Sequence, residues 1–154
     1  MKKILILNLL FFILIGCGFT PMYSVNKKVD FYIENISFNE GDRELASFIK
    51  SNLNNYLEVN QGRKFQISAL INYNKNSISK DAAGNTEEYE LSSELTFTIL
   101  SGELKKSLLI KEKVKMKNFD DEFSELEYER SLKKSMARSI SARLIMQISL
   151  INAN

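Results

Sequence analysis

From Tyr89 to Ile99 the side chains alternate without interruption. Tyr89, Leu91, Ser93, Leu95, Phe97 and Ile99 fall on one side, and Glu90, Ser92, Glu94, Thr96 and Thr98 on the other. A strand points successive side chains to opposite faces, so this stretch has one face to cover and one that can stay wet. That is the pattern of an antiparallel sheet packed on one side only. Two neighbouring stretches repeat it. Phe65, Ile67, Ala69, Ile71 and Tyr73 lie opposite Gln66, Ser68, Asn72 and Asn74, while Leu108, Ile110, Val114 and Met116 lie opposite Lys111, Lys113, Lys115 and Lys117. Glu112 interrupts the apolar side of the last strand, which fits either a bulge or a sheet edge. Val29, Phe31 and Ile33, alternating with Asp30, Tyr32 and Glu34, add a first strand.

Two segments of helical period can cover the apolar face. Asp42 is placed as an N-cap after Asn39-Glu40-Gly41, and Leu45, Phe48, Ile49, Leu53, Tyr56 and Leu57 then form one stripe. Gly62 ends the connection that follows. Further on, Leu132, Met136, Ile140, Leu144 and Ile148 recur every four residues, broadened by Ala137, Ile145 and Ile151. Ser124-Glu125-Leu126-Glu127 has the form of a capping box, with Phe123 and Tyr128 spaced for a hydrophobic staple. The polar stretch from Lys75 to Glu88, containing Ala83-Gly84-Asn85, reads as a long hairpin loop, and Ser101-Gly102-Glu103 as a tighter turn. The expected fold class is α+β: a two-layer sandwich of two amphipathic helices on one face of a four-stranded, mainly antiparallel sheet. Its order is β-α-β-β-β-α, over residues 29–154 as a single domain.

Few chemistries suit this composition. The chain has no His and a single Cys, so triads, Cys–His dyads and His-bearing metal sites have no residues to use. Asp120-Asp121-Glu122 is the one dense acidic group, and neighbours in sequence do not converge as a catalytic pair must. It reads as a solvated linker that favours the helix start behind it. No metal site, no cofactor and no enzymatic activity is expected.

The first 23 residues read MKKILILNLLFFILIGCGFTPMY. Lys2 and Lys3 precede an apolar run from Ile4 to Ile15 that is too short for a bilayer-spanning helix, which needs about 20 residues, and suits the core of a secretory signal. Leu14-Ile15-Gly16-Cys17 resembles the bacterial lipobox. The resemblance implies that residues 1–16 are removed and that Cys17 becomes the N-terminus, carrying covalent lipid on its thiol. Residues 17–28 then form an acylated tether, and Gly18 in place of Asp favours the outer membrane. Losing Lys2 and Lys3 takes the 21 Lys+Arg to 19, against 19 Asp+Glu. A neutral mature chain lacks the basic balance of a nucleic-acid binder.

Cys17-Gly18-Phe19-Thr20-Pro21-Met22-Tyr23 also resembles the mature N-terminus of the LPS-assembly lipoprotein family LptE. Pro21 biases Thr20 towards extended backbone, so the segment reads as a short stiff tether. Phe19, Met22 and Tyr23 can lie on lipid, on a partner or against the domain's own edge. The element order, the long second hairpin, the turn at Gly102 and the Arg/Lys-bearing last helix are similar to that family too. The resemblance implies a lipid-anchored protein on the periplasmic side of the outer membrane. Its partners would be an LptD-type β-barrel, lipopolysaccharide and outer-membrane lipid. The alternative is an auxiliary lipoprotein of an ABC-type lipid or solute export system. Two surfaces are candidates within this reading. Lys111, Lys113 and Lys115 line one strand face, either as anchors for anionic LPS phosphates or as edge lysines that discourage strand pairing. Asp81, Ala82, Ala83, Gly84 and Asn85 form the loop expected to reach furthest into the barrel.

Overall fold

The structure, a computed structural model, describes residues 30–57 and 61–153. The signal segment 1–16, Cys17, the tether 17–28 and Val29 lie outside the described residues. Six elements follow in order: β1 (Phe31–Glu40), α1 (Arg43–Leu57), β2 (Arg63–Lys80), β3 (Thr86–Ser101), β4 (Leu104–Lys117) and α2 (Glu122–Asn152). They form one sheet of strand order β1-β2-β3-β4, with both helices on one face. The expected α+β class and element order are the ones found.

β1 and β2 pair in parallel, whereas β2–β3 and β3–β4 are antiparallel. The parallel pair needs a crossover, which α1 supplies. Asp42 caps α1 as its spacing suggests, its Oδ1 accepting from Leu45 N at 2.7 Å. Two glycines set the crossover's ends. At Gly41 (φ 110°) and Gly62 (φ 88°) a Cβ would fall 2.1 Å from the carbonyl oxygens of Ile71 and Asp30. Positive φ and contact with backbone leave no room for any other side chain there.

The covered face is the one the alternation marks. Phe65, Ile67, Ala69 and Ile71 of β2, and Leu91, Leu95, Phe97 and Ile99 of β3, are buried against Leu45, Ile49 and Leu53 of α1 and Met136, Ile140, Leu144 and Ile148 of α2. The helices do not cover it evenly. α1 has 15 residues and α2 has 31, or about 22 and 46 Å at 1.5 Å per residue. They run side by side in the same direction, since Asp42 meets Lys133 near their starts and Leu53 and Tyr56 meet Ile145 further along. The half of the sheet near the start of β1 therefore has two helices above it, and the far half has only the first turns of α2.

Two local expectations need correction. The capping residue of α2 is Asp121, not Ser124: the Asp121 carboxylate accepts from Ser124 N at 2.8 Å and from Ser124 Oγ at 2.6 Å. A carboxylate at the N-cap satisfies free N–H groups and the helix dipole together, so the helix starts earlier. Phe123 then points to solvent, and Tyr128 packs on Phe119, ring centroids 5.3 Å apart, in place of the Phe123 staple. The second correction concerns the hairpin. Lys75 to Glu88 is not a long loop: β2 continues to Lys80 and β3 begins at Thr86.

Candidate functional site

The strands bring Lys111, Lys113 and Lys115 to one exposed face, as alternate residues of β4 must lie. Lys111 is in register with Glu94 and pairs with it, and Lys113 reaches diagonally to Glu90 at 2.7 Å. Lys115 stands opposite Glu90 in the ladder. The ladder is therefore a cross-strand charge mosaic, with two of the three ammonium groups already facing carboxylates. Such exposed pairs contribute little to stability and give way readily to a stronger ligand. β4 is also a sheet edge, so the same lysines stand where unwanted strand pairing would begin. Beside the mosaic lies a feature that the sequence reading passed over. Leu70, Thr96 and Leu109 are in register across three strands, and with Asn72 and Glu94 they line a shallow basin of about 610 Å³. The signal was there in the alternation: positions 70 and 109 are outward, yet hold leucine.

The hairpin tip is Asp81 to Asn85, the segment singled out as the furthest-reaching loop. It is a compact closed turn. Asp81 Oδ1 accepts from Ala83 N at 2.9 Å and Asn85 N at 2.8 Å, and Oδ2 accepts from Asn85 Nδ2 at 3.0 Å. These donors hold the Asp81 carboxyl below its ordinary pKa, the Asn85 side chain contributing most. Ala82, Ala83 and Gly84 stand exposed above this clamp. From Arg63 the 18 residues of β2 put the tip roughly 55–60 Å away along the strand.

Where α2 begins, a half-buried ionic knot ties three elements. Lys133 donates to Asp42 Oδ2 at 2.8 Å and lies 3.5 Å from Glu129 and Glu44. Lys75 donates to Glu125 at 2.5 Å and to Glu129 at 3.0 Å, and the Tyr73 hydroxyl donates to Glu129 Oε1 at 2.9 Å. Each ammonium also sits 4.5 Å from a ring centroid, Lys133 over Tyr73 and Lys75 over Tyr89. Burial pulls the Lys133 pKa down, but its hydrogen bond to Asp42 and the surrounding carboxylates outweigh this and hold it above 10.5. Burial and the Glu129 carboxylate both push the Tyr73 hydroxyl strongly up, so it remains a donor.

Glu112 faces inward opposite Ser93 in a continuous β3–β4 register, without a bulge. The edge position admits it: Arg143 of α2 reaches round to place Nη2 2.9 Å from Glu112 Oε2, an ion pair off hydrogen-bond angle, while its Nη1 donates to the Lys111 carbonyl at 3.0 Å. Among the described residues no group of three or more His, Cys, Asp and Glu is placed to hold a metal, and none of the helices is long and apolar enough to cross a membrane.

The described residues thus form a small two-layer α+β body with one open sheet face, an architecture shared with solved bacterial lipoproteins. Rare lipoprotein B from Shewanella oneidensis matches with a TM-score of 0.62 at 16% identity, over 80% of this chain and 97% of that one. A minor lipoprotein from Acinetobacter baumannii matches at 0.57 and 14% identity, over 79% and 92%. Lipoprotein B from Nitrosomonas europaea matches at 0.56 and 17%, over 80% and 85%. Rare lipoprotein B is LptE under another name. What is shared at these identities is the fold. No protein-family model and no curated protein sequence matches the chain.

Proposed function

We propose that this chain is a lipoprotein anchored through Cys17 at the periplasmic side of the outer membrane, where it plugs and supports assembly of an LptD-type β-barrel that inserts lipopolysaccharide into the outer leaflet. The observation that carries the reading is the rare-lipoprotein-B fold in a chain whose residues 17–23 resemble the LptE N-terminus. Its work is binding and positioning, not catalysis. The open sheet face, with its charge mosaic and leucine basin, suits a lumen of mixed polarity, and the clamped tip at Asp81–Asn85 is rigid enough to be inserted. LPS contact through Lys111, Lys113 and Lys115 requires the phosphates to displace Glu90 and Glu94, which charge-assisted contacts can do.

Extraction of the intact lipoprotein from its native membrane in mild detergent, with partners identified by mass spectrometry, tests the reading. One large β-barrel at one-to-one is expected. Recovery alone, or with an ATP-driven transporter, overturns the barrel partnership. Lys111→Glu with Lys113→Glu is expected to weaken LPS binding, and unchanged binding removes that contact. Deleting residues 81–85 is expected to impair complex formation, and an intact complex removes the tip from the interface.

A further inference from the structure

We infer that the groove between α1 and α2 is the seat of the chain's own tether, taking the side chains of Met22 and Tyr23. The groove is open, about 540 Å³, and lined largely by apolar side chains: Leu53 and Tyr56 of α1 with Ala142, Ile145 and Met146 of α2, and Ser141 at its floor. Met146 is 54% exposed, whereas Ser141 is 5% exposed and its Oγ has no hydrogen-bond partner. A buried hydroxyl without a partner costs free energy, and a solvated apolar groove beside it offers more to recover.

The place where the described chain begins selects the occupant. The Asp30 carbonyl accepts from Arg63 N at 2.9 Å and from Asn152 Nδ2 at 3.4 Å, and Arg63 Nη1 donates to the Ile151 carbonyl at 3.2 Å. The described chain therefore begins at the C-terminal end of α2. The next residue, Phe31, stacks on Tyr56 with ring centroids 6.0 Å apart, so the entry point adjoins the groove wall. Reach is sufficient. Seven residues separate Tyr23 from Asp30 and span at most about 25 Å when extended, while Ile151 to Ser141 is about 15 Å of helix. Phe19-Thr20-Pro21-Met22-Tyr23 also has suitable chemistry: Pro21 favours extended backbone beside it, and the thioether of Met22 and the ring of Tyr23 follow.

Seating the tether leaves only Cys17 to Pro21 between groove and lipid. The anchor then fixes which side of the domain faces the membrane and leaves the sheet face free. This goes beyond the barrel reading and holds whatever partner the sheet face meets.

The test uses the full chain, acylated in its own envelope, where lipid occupies the Cys17 thiol. Tyr23→Cys with Met146→Cys supplies the only two thiols, and Tyr23→Cys with Leu109→Cys on the opposite face is the comparison. Under mild oxidation the first pair is expected to close at least about tenfold faster, as a raised effective concentration requires. Equal rates, or a disulfide between the Tyr23→Cys chain and another protein instead, overturn the proposal. Acyl labelling of the same sample, lost on Cys17→Ser, separates failure of the anchor from failure of the groove. A second readout does not depend on the pair accumulating. The chain has no Trp, so Tyr23→Trp gives a single reporter. Its emission is expected to be blue-shifted and to move red on adding Met146→Glu; water-like emission in both chains overturns the seat.

Discussion

Lys133 lies 91 residues in sequence from the Asp42 it binds, and nothing local in either stretch announces the pair. Alternation and helical period report which way a side chain faces, and they placed the lysine ladder of β4 correctly on the outer face. They say nothing about which charges meet. The knot of Asp42, Tyr73, Lys75, Glu125, Glu129 and Lys133 was accordingly invisible in the sequence, and so was the pairing of Glu112 with Arg143. Its energetics are testable. Lys133 is only 8% exposed, and Lys133→Met leaves Asp42 without its cation and Glu129 with Lys75 alone. The expected loss is roughly 2–4 kcal/mol, towards the low end for buried ion pairs because Asp42 and Glu44 keep contact with water. Urea denaturation measures it. The pH dependence follows from the same residues. Burial raises the Glu129 pKa, but the hydrogen bonds of Lys75 and Tyr73 and the nearby ammonium charges reverse this and hold the carboxyl below 4.5. The unfolded chain therefore takes up that proton first as pH falls. The stability it confers is complete above the unfolded value and is lost as pH drops through the folded one. Lys75 and Lys133, held above 10.5, contribute below that value and lose their share as pH rises through their folded pKa values. Thermal melts should be flat through neutrality and fall at both ends, and Glu129→Gln should shrink the acid-side fall.

At the scale of elements, strong periodicity was legible and polarity was misleading. Six elements of the right type and order follow from the sequence because each buries one clean stripe. The outer part of the β2–β3 hairpin reads as loop in the sequence because Asn76, Ser77 and Ser79 are small and polar. The ribbon past the core shows few apolar side chains, although β4 flanks it as far as Lys117 opposite Glu88, and Ser77 Oγ and Thr86 Oγ1 meet at 3.0 Å across it. The parallel pairing of β1 could not be read either, since alternation fixes a strand's face and not its neighbour. The uneven helix cover has a dynamic consequence. Backbone amides of β2 and β3 beyond Tyr73 and before Leu91 lie outside the two-helix region, so hydrogen exchange there should be faster than around Ile67 and Phe97. Equal protection along the whole hairpin would show that the ribbon draws as much stability from the start of α2 as the core half does from both helices.

For the molecule as a whole, the distinction that matters is between a face that folds the protein and a face that serves something else. Phe97 is fully buried, and Phe97→Ala should cost about 3–5 kcal/mol through the cavity it leaves. Leu109 is 52% exposed, and Leu109→Ser should leave the melting temperature within a degree or two while weakening whatever covers the leucine basin. A pull-down from native membrane reads the second effect. The two ends of the body also differ. The chain enters beside Arg63, Ser101 and the last turn of α2, and the Asp81–Asn85 tip stands at the opposite pole. The hydrocarbon core of a bilayer is about 30 Å thick, so the strand path between the poles is nearly twice that depth. In the proposed anchored state the body is a fixed-length probe whose tip stands a strand length away from the lipid. Removing one residue from each strand beside the hairpin tip would retract it by about 3.3 Å, which makes the body's reach a quantity that can be set residue by residue.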